Sequence, residues 1–151
     1  MQDKKTIDFI KKSFERLKNH DKIVFEILES ESIKNYEKIS KFITDFKSTG
    51  CKFAIDDFGS GYSNFAHLIE LNIDFLKIDA SLIKNIHTDK KSFETVKAIV
   101  NFAKTMGVKT IAEYVESEEI LNRVIHLDID FAQGYHIGKP QEKLNQYFNA
   151  N

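Results

Sequence analysis

The sequence predicts an α/β fold in which parallel strands alternate with helices. Three observations carry this. Amphipathic stretches at helical spacing alternate with short β-branched and aromatic runs, the connections between them are short, and a single proline, Pro140, interrupts the chain. With 151 residues, 42% hydrophobic and 30% charged, residues 1–151 have apolar material for one domain and too little length for two. Lys and Arg total 22 against 23 for Asp and Glu, so no basic surface recruits a long nucleic acid. Cys51 is the only cysteine, which excludes an internal disulfide, suits a reducing, cytoplasmic setting and reads as a small buried apolar residue. No window approaches the ~18 uninterrupted apolar residues of a membrane helix, so this segment is expected to make no membrane contact. An anchor elsewhere in a longer parent is compatible with that.

The elements follow in order. Ile7, Phe9, Ile10, Phe14 and Leu17 recur at helical spacing over residues 4–19, and "KIVFEIL" after them is a run of strand length. A helix over 33–47 is stopped by Gly50, and "KFAID" is the second strand, entering a glycine-rich turn. A short helix from about Asn64, with Ser63 or Asn64 as its cap, leads to "FLKID". A helix over 92–106, closed by Gly107, precedes "VKTIAE"; a helix over 118–126 precedes a weaker fifth strand, "DFAQGY". "KLNQYF" reads as a terminal helix. No repeat is evident beyond the βα unit.

The chemistry lies in what ends each strand. Glu26 and Glu29, Asp56 and Asp57, Lys77 and Asp79, Glu113 and Glu116, then Gln133 follow the five runs. Parallel βα architecture opens all C-terminal strand ends on one face, where a barrel keeps its active site. Any one such acid is ordinarily a solvated loop residue, but carboxylates brought together at every strand end repel unless protonated or held by a cation. Oxygen ligands without cysteine or a histidine pair favour Mg²⁺ or Mn²⁺, and two such ions can bridge a phosphodiester. Consecutive Asp56 and Asp57 suit that geometry if the strand end frays, one ligand and one cap being the alternative. Lys77, mid-run on a strand, needs an anion, either a structural carboxylate partner or a phosphate and its attacking water. Gly59 and Gly61 permit a tight loop; their spacing is not that of a phosphate-binding loop. His20, His67, His87, His126 and His136 show no metal-ligand spacing and are assigned no role.

Together "FEILES", "AIDDFGSGYSN", "LKID", "AEYVES" and "AQGYHIGKP" resemble, in order and spacing, the EAL domain family of bacterial cyclic di-GMP phosphodiesterases, over about residues 6–144. The resemblance implies a TIM-like βα barrel, incomplete here with about five of eight βα units. It implies hydrolysis of cyclic di-GMP to pGpG with Mg²⁺ or Mn²⁺ at a two-metal site, with Glu26, Asp56, Asp57 and Glu113 as ligands. Lys77 would place or activate the water, Glu29 would brace the glycine loop, and Glu116 would stand close to the metal shell. Gln133 and Asp79 would lie toward the substrate.

Three departures matter. The Glu-Ala-Leu segment and the asparagine strand after it are absent, Leu28 and Ser60 replace threonines, and Tyr114 replaces a glycine. An incomplete barrel exposes strand edges, so the reading expects association, as a homodimer or by domain swapping, and weak or no activity of this chain alone. The alternative is a degenerate domain that binds cyclic di-GMP or a protein without turnover. An unrelated barrel enzyme for phosphorylated sugars ranks below both.

Overall fold

A computed structural model of the chain describes residues 4–17, 19–61 and 65–141. The order is α1 (Lys4–Phe14), a 3-10 turn at His20–Lys22, β1 (Val24–Leu28), α2 (Glu29–Lys34), α3 (Tyr36–Lys47), β2 (Lys52–Phe58), α4 (Phe65–Glu70) and β3 (Phe75–Ile78). Then come α5 (Ala80–Ile83), α6 (Lys90–Met106), β4 (Lys109–Ala112), α7 (Glu118–His126) and β5 (Phe131–Ala132). The strands form one five-stranded parallel sheet in chain order, the arrangement expected of a partial βα barrel. The expected terminal helix in "KLNQYF" and the cap at Ser63 or Asn64 lie outside the described residues.

By contacts the chain divides into two compact units, Met1–Asp56 with Asn64–Phe75, and Asp57–Ser63 with Leu76–Asn151. The first has an aromatic core. Phe25 on β1 stacks on Phe14 and Phe53 and meets Phe42 and Phe46 edge-on, all at ring separations of 5.4–5.8 Å. Such offset and edge contacts add to the burial of the rings themselves. Cys51, 2% exposed, fills the corner as expected, its thiol donating to the Phe46 carbonyl at 3.2 Å. The helix expected over 33–47 is instead two, broken at Asn35. Its φ of −125° is not helical, its side-chain amide donates to Glu31 Oε2 at 3.0 Å, and Glu29 begins α2 directly after β1. Asparagine is a poor helix former, so a break at this position costs the chain little.

The second unit has an aliphatic core of Ile78, Ile83, Ile86, Val96, Ile99 and Val100. Helix α6 begins two residues before the expected start because Asp89 caps it, accepting from the N–H of Lys91 and of Ser92 at 3.2 and 2.8 Å. It ends where Gly107 takes a φ of 70°. Helix α7 is capped by the Ser117 hydroxyl, which accepts from the Ile120 N–H at 3.3 Å.

Candidate active site

In the first unit Glu26 pairs in register with Ala54 and Leu28 with Asp56, so Glu26, Leu28 and Asp56 share the sheet face opposite the aromatic core. Glu26 is exposed and Asp56 half-buried. Glu29 is buried, 6% exposed, as the first residue of α2, where the helix dipole favours a carboxylate.

In the second unit Asp57 has a φ of 57°, a left-handed conformation that Asp tolerates better than most residues. That turn breaks the strand alternation which would otherwise send Asp57 to the face opposite Asp56, its neighbour in sequence. Asp57 and Glu113 each offer a carboxylate oxygen within 4.8 Å of the other. Lys77, 5% exposed on β3, reaches Glu113, its Nζ 2.9 Å from Oε1. A lysine this deeply buried keeps its charge only beside such an anion, and removing one partner alone would strand the other. So the structure brings Asp57, Lys77 and Glu113 together. A donor set of half-buried carboxylate oxygens is the set that a hard divalent cation takes, so the residues fit such an ion.

The remaining expected residues are placed differently. Asp79 caps α5, its Oδ1 accepting from the Ser81 N–H at 2.9 Å and from the Ser81 hydroxyl. Gln133 is exposed, and its backbone is tied to the segment after β4: its N–H donates to the Ala112 carbonyl at 2.8 Å and its carbonyl accepts from the Val115 N–H at 3.0 Å. Glu116 is exposed beside Tyr114; its hydrogen-bonding influence, then its charge, pushes the Tyr114 hydroxyl above its ordinary pKa. Sequence reading missed Gly134, where an added Cβ would lie 2.3 Å from both the N and the O of Val115. The signal was the glycine directly after Gln133.

A model of the EAL domain family matches residues 1–140. The chain belongs to the EAL domain family. Among curated relatives, the cyclic di-GMP phosphodiesterase PdeB of Shewanella oneidensis is 40% identical over 119 residues, 79% of this chain and 14% of that protein. The cyclic di-GMP phosphodiesterase PdeA of Borreliella burgdorferi is 44% identical over 119 residues, 79% of this chain and 18% of that protein. The chain thus spans less than a fifth of either relative. Among solved structures, the EAL domain of Mycobacterium smegmatis DcpA is 31% identical with a TM-score of 0.77, covering 90% of this chain and 60% of that one. BlrP1 of Klebsiella pneumoniae, in a complex with manganese and cyclic di-GMP, is 28% identical with a TM-score of 0.78, covering 85% of this chain and 34% of that one. The five-stranded parallel sheet is therefore that of an EAL barrel, of TIM type. In EAL terms Tyr114, at a φ of 59°, occupies the position where the family resemblance calls for glycine.

Proposed function

We propose that the protein containing this chain is a metal-dependent phosphodiesterase that opens cyclic di-GMP to linear pGpG. Residues 1–151 then form the C-terminal part of a single EAL domain, with little activity alone. The observation that carries the reading is the buried Lys77–Glu113 pair with Asp57 beside it, in a chain whose relatives are named cyclic di-GMP phosphodiesterases. Glu26, Asp56, Asp57 and Glu113 would hold two divalent ions, Mg²⁺ or Mn²⁺, and the manganese complex of BlrP1 supports that class. When bound, such ions neutralise the phosphodiester oxygens and lower the pKa of an attacking water.

The residues of the chain do the rest. The carboxylates set the positions of the charges that admit a dianionic substrate, which bare acids would repel. Lys77 holds the attacking water in line with the scissile P–O bond; the new P–O bond forms as the old one breaks, and the leaving oxygen takes up a proton. Glu29 and Glu116 position this group, and Gln133 and Asp79 border the substrate. The protein acts in the cytoplasm on cyclic di-GMP, and isolated copies of this chain associate as homodimers or by domain swapping. A second reading, a cyclic di-GMP receptor without turnover, is favoured by one observation, the 38%-exposed Tyr114 ring next to Glu113.

The test is hydrolysis of cyclic di-GMP with Mg²⁺ or Mn²⁺ by the full-length protein and by the 151-residue chain. Turnover by the full-length protein, abolished in Asp56→Asn with an unchanged circular dichroism spectrum, is the expected result. Tight binding with no turnover selects the receptor. Full activity of Asp56→Asn would sink the site assignment.

A further inference from the structure

Tyr114 sits directly after Glu113, whose Oε1 is 2.9 Å from Lys77 Nζ. Its φ of 59° is one that a bulky side chain rarely adopts. The surroundings impose it. The Ala112 carbonyl accepts from the Gln133 N–H at 2.8 Å, the Val115 N–H donates to the Gln133 carbonyl at 3.0 Å, and the Val115 carbonyl accepts from the His136 N–H at 3.0 Å. Gly134 presses on the same peptide, with no room for a Cβ. Glycine at position 114 would make this turn without steric conflict, yet the chain carries tyrosine, and strain of this kind collects where the placement of a side chain is used.

The turn also decides where the ring goes. On a continuing strand, residue 114 would point to the face opposite Glu113 and bury itself under the helices. The left-handed step ends that alternation. Val115 takes the buried position at 0% exposure, while the Tyr114 ring stays 38% exposed with its hydroxyl toward the exposed Glu116 carboxylate. An exposed aromatic side chain, its hydroxyl toward a carboxylate, therefore follows directly after the Glu113 that pairs with Lys77.

We propose that Tyr114 is a substrate-binding residue whose ring stacks on a purine base of the cyclic dinucleotide, an inference that rests on the phosphodiesterase reading above. Stacking on a base is insensitive to the reacting phosphate, so it strengthens substrate and transition state alike and acts on KM and not on kcat.

The experiment uses the full-length protein as wild type, Tyr114→Phe and Tyr114→Gly, with steady-state hydrolysis of cyclic di-GMP, its binding by calorimetry, and thermal melting. Tyr114→Gly should raise KM and Kd about tenfold, leave kcat within about twofold, and raise Tm as the strained turn relaxes. Tyr114→Phe, which keeps the ring, should hold KM within about twofold of wild type. A residue that serves the fold alone would move Tm without moving KM. Unchanged KM and Kd in Tyr114→Gly overturn the inference while leaving the phosphodiesterase reading intact. An equal loss in Tyr114→Phe overturns it in favour of the hydroxyl. A wild type that neither binds nor hydrolyses cyclic di-GMP removes both.

Discussion

The two units solve one problem twice, with different partners. In the first, Leu71-Asn72-Ile73-Asp74-Phe75 leads into β3; in the second, Leu127-Asp128-Ile129-Asp130-Phe131 leads into β5. In both, the leucine and isoleucine are buried and the aspartate just before the strand reaches the start of the preceding strand. Asp74 Oδ2 accepts from the Phe53 N–H and Asp130 Oδ2 from the Thr110 N–H, each at 2.8 Å. These are backbone donors next to fully buried side chains, which would otherwise lack a partner at the strand entrance. The difference lies in the second bond. Asp74 also holds the Lys47 ammonium, whereas Asp130 accepts from the Thr110 hydroxyl at 3.0 Å. A latch built on an ion pair and one built on a neutral hydroxyl should fail to different degrees and under different conditions.

Asp74→Ala should have the largest effect, destabilising by about 3 kcal/mol in urea melts, because it strands a part-buried lysine as well as a backbone N–H. Asp130→Ala should cost about 1.5 kcal/mol, since only neutral donors lose their acceptor. Equal losses would show that the ion pair contributes nothing beyond the hydrogen bond. Lys47→Met, which keeps the apolar stem and leaves the aspartate its backbone donor, should cost about 1 kcal/mol. Smallest should be Lys104→Ala, under about 0.5 kcal/mol, although its Nζ lies 2.6 Å from Asp128 Oδ2, because both groups are well exposed.

A pH profile sharpens the comparison. Burial pushes the Asp130 carboxyl upward, but the Thr110 N–H and hydroxyl, with the charge of Lys109, outweigh it and hold the group below its ordinary range. A depressed folded-state pKa gives stability that is present above the unfolded value, about 3.9, and lost as pH falls through the folded one. The stability gap between wild type and Asp130→Asn should therefore be widest near neutrality and close below about pH 4. A gap that persists at low pH would mean that the latch works through shape and not charge.

This repeat was in the sequence and went unread there, because a reading by hydrophobic period gives Ile-Asp-Phe to a strand start and stops. The α/β class and every strand were legible from short β-branched runs, and residues 118–126 form a helix over the expected span. Helix interruptions were not, since α2 and α3 part at a single residue, Asn35, whose non-helical φ leaves the hydrophobic period intact. Within the candidate site, Lys77 was legible because a lysine inside an apolar strand demands an anion, and Glu113 supplies it. Asp79, two residues after Lys77, has a second duty that its position did not announce: its Oδ1 accepts from the Ser81 N–H and caps α5. Left-handed backbone at Asp57 and Tyr114 had no signal of its own, because neither residue is the glycine that such conformations usually announce.

His20, assigned no role from sequence, sits with Nε2 2.8 Å from the Phe14 carbonyl and Nδ1 3.2 Å from the Thr49 carbonyl, joining the end of α1 to the turn before β2. Its place is structural, a ring set between the Phe14 and Thr49 carbonyls that sequence spacing could not reveal.

The close crossing of Gly134 over Val115 has a consequence for the order in which the chain matures. The turn at Tyr114 is held by residues that follow it by about twenty positions in the chain, so during synthesis β4 emerges before anything can set that turn. Until Gln133 and His136 arrive, the backbone hydrogen bonds that flank Tyr114 cannot form. A ribosome-bound chain stalled before Gln133 would carry every carboxylate and the lysine of the site while the clamp that shapes its rim was still missing.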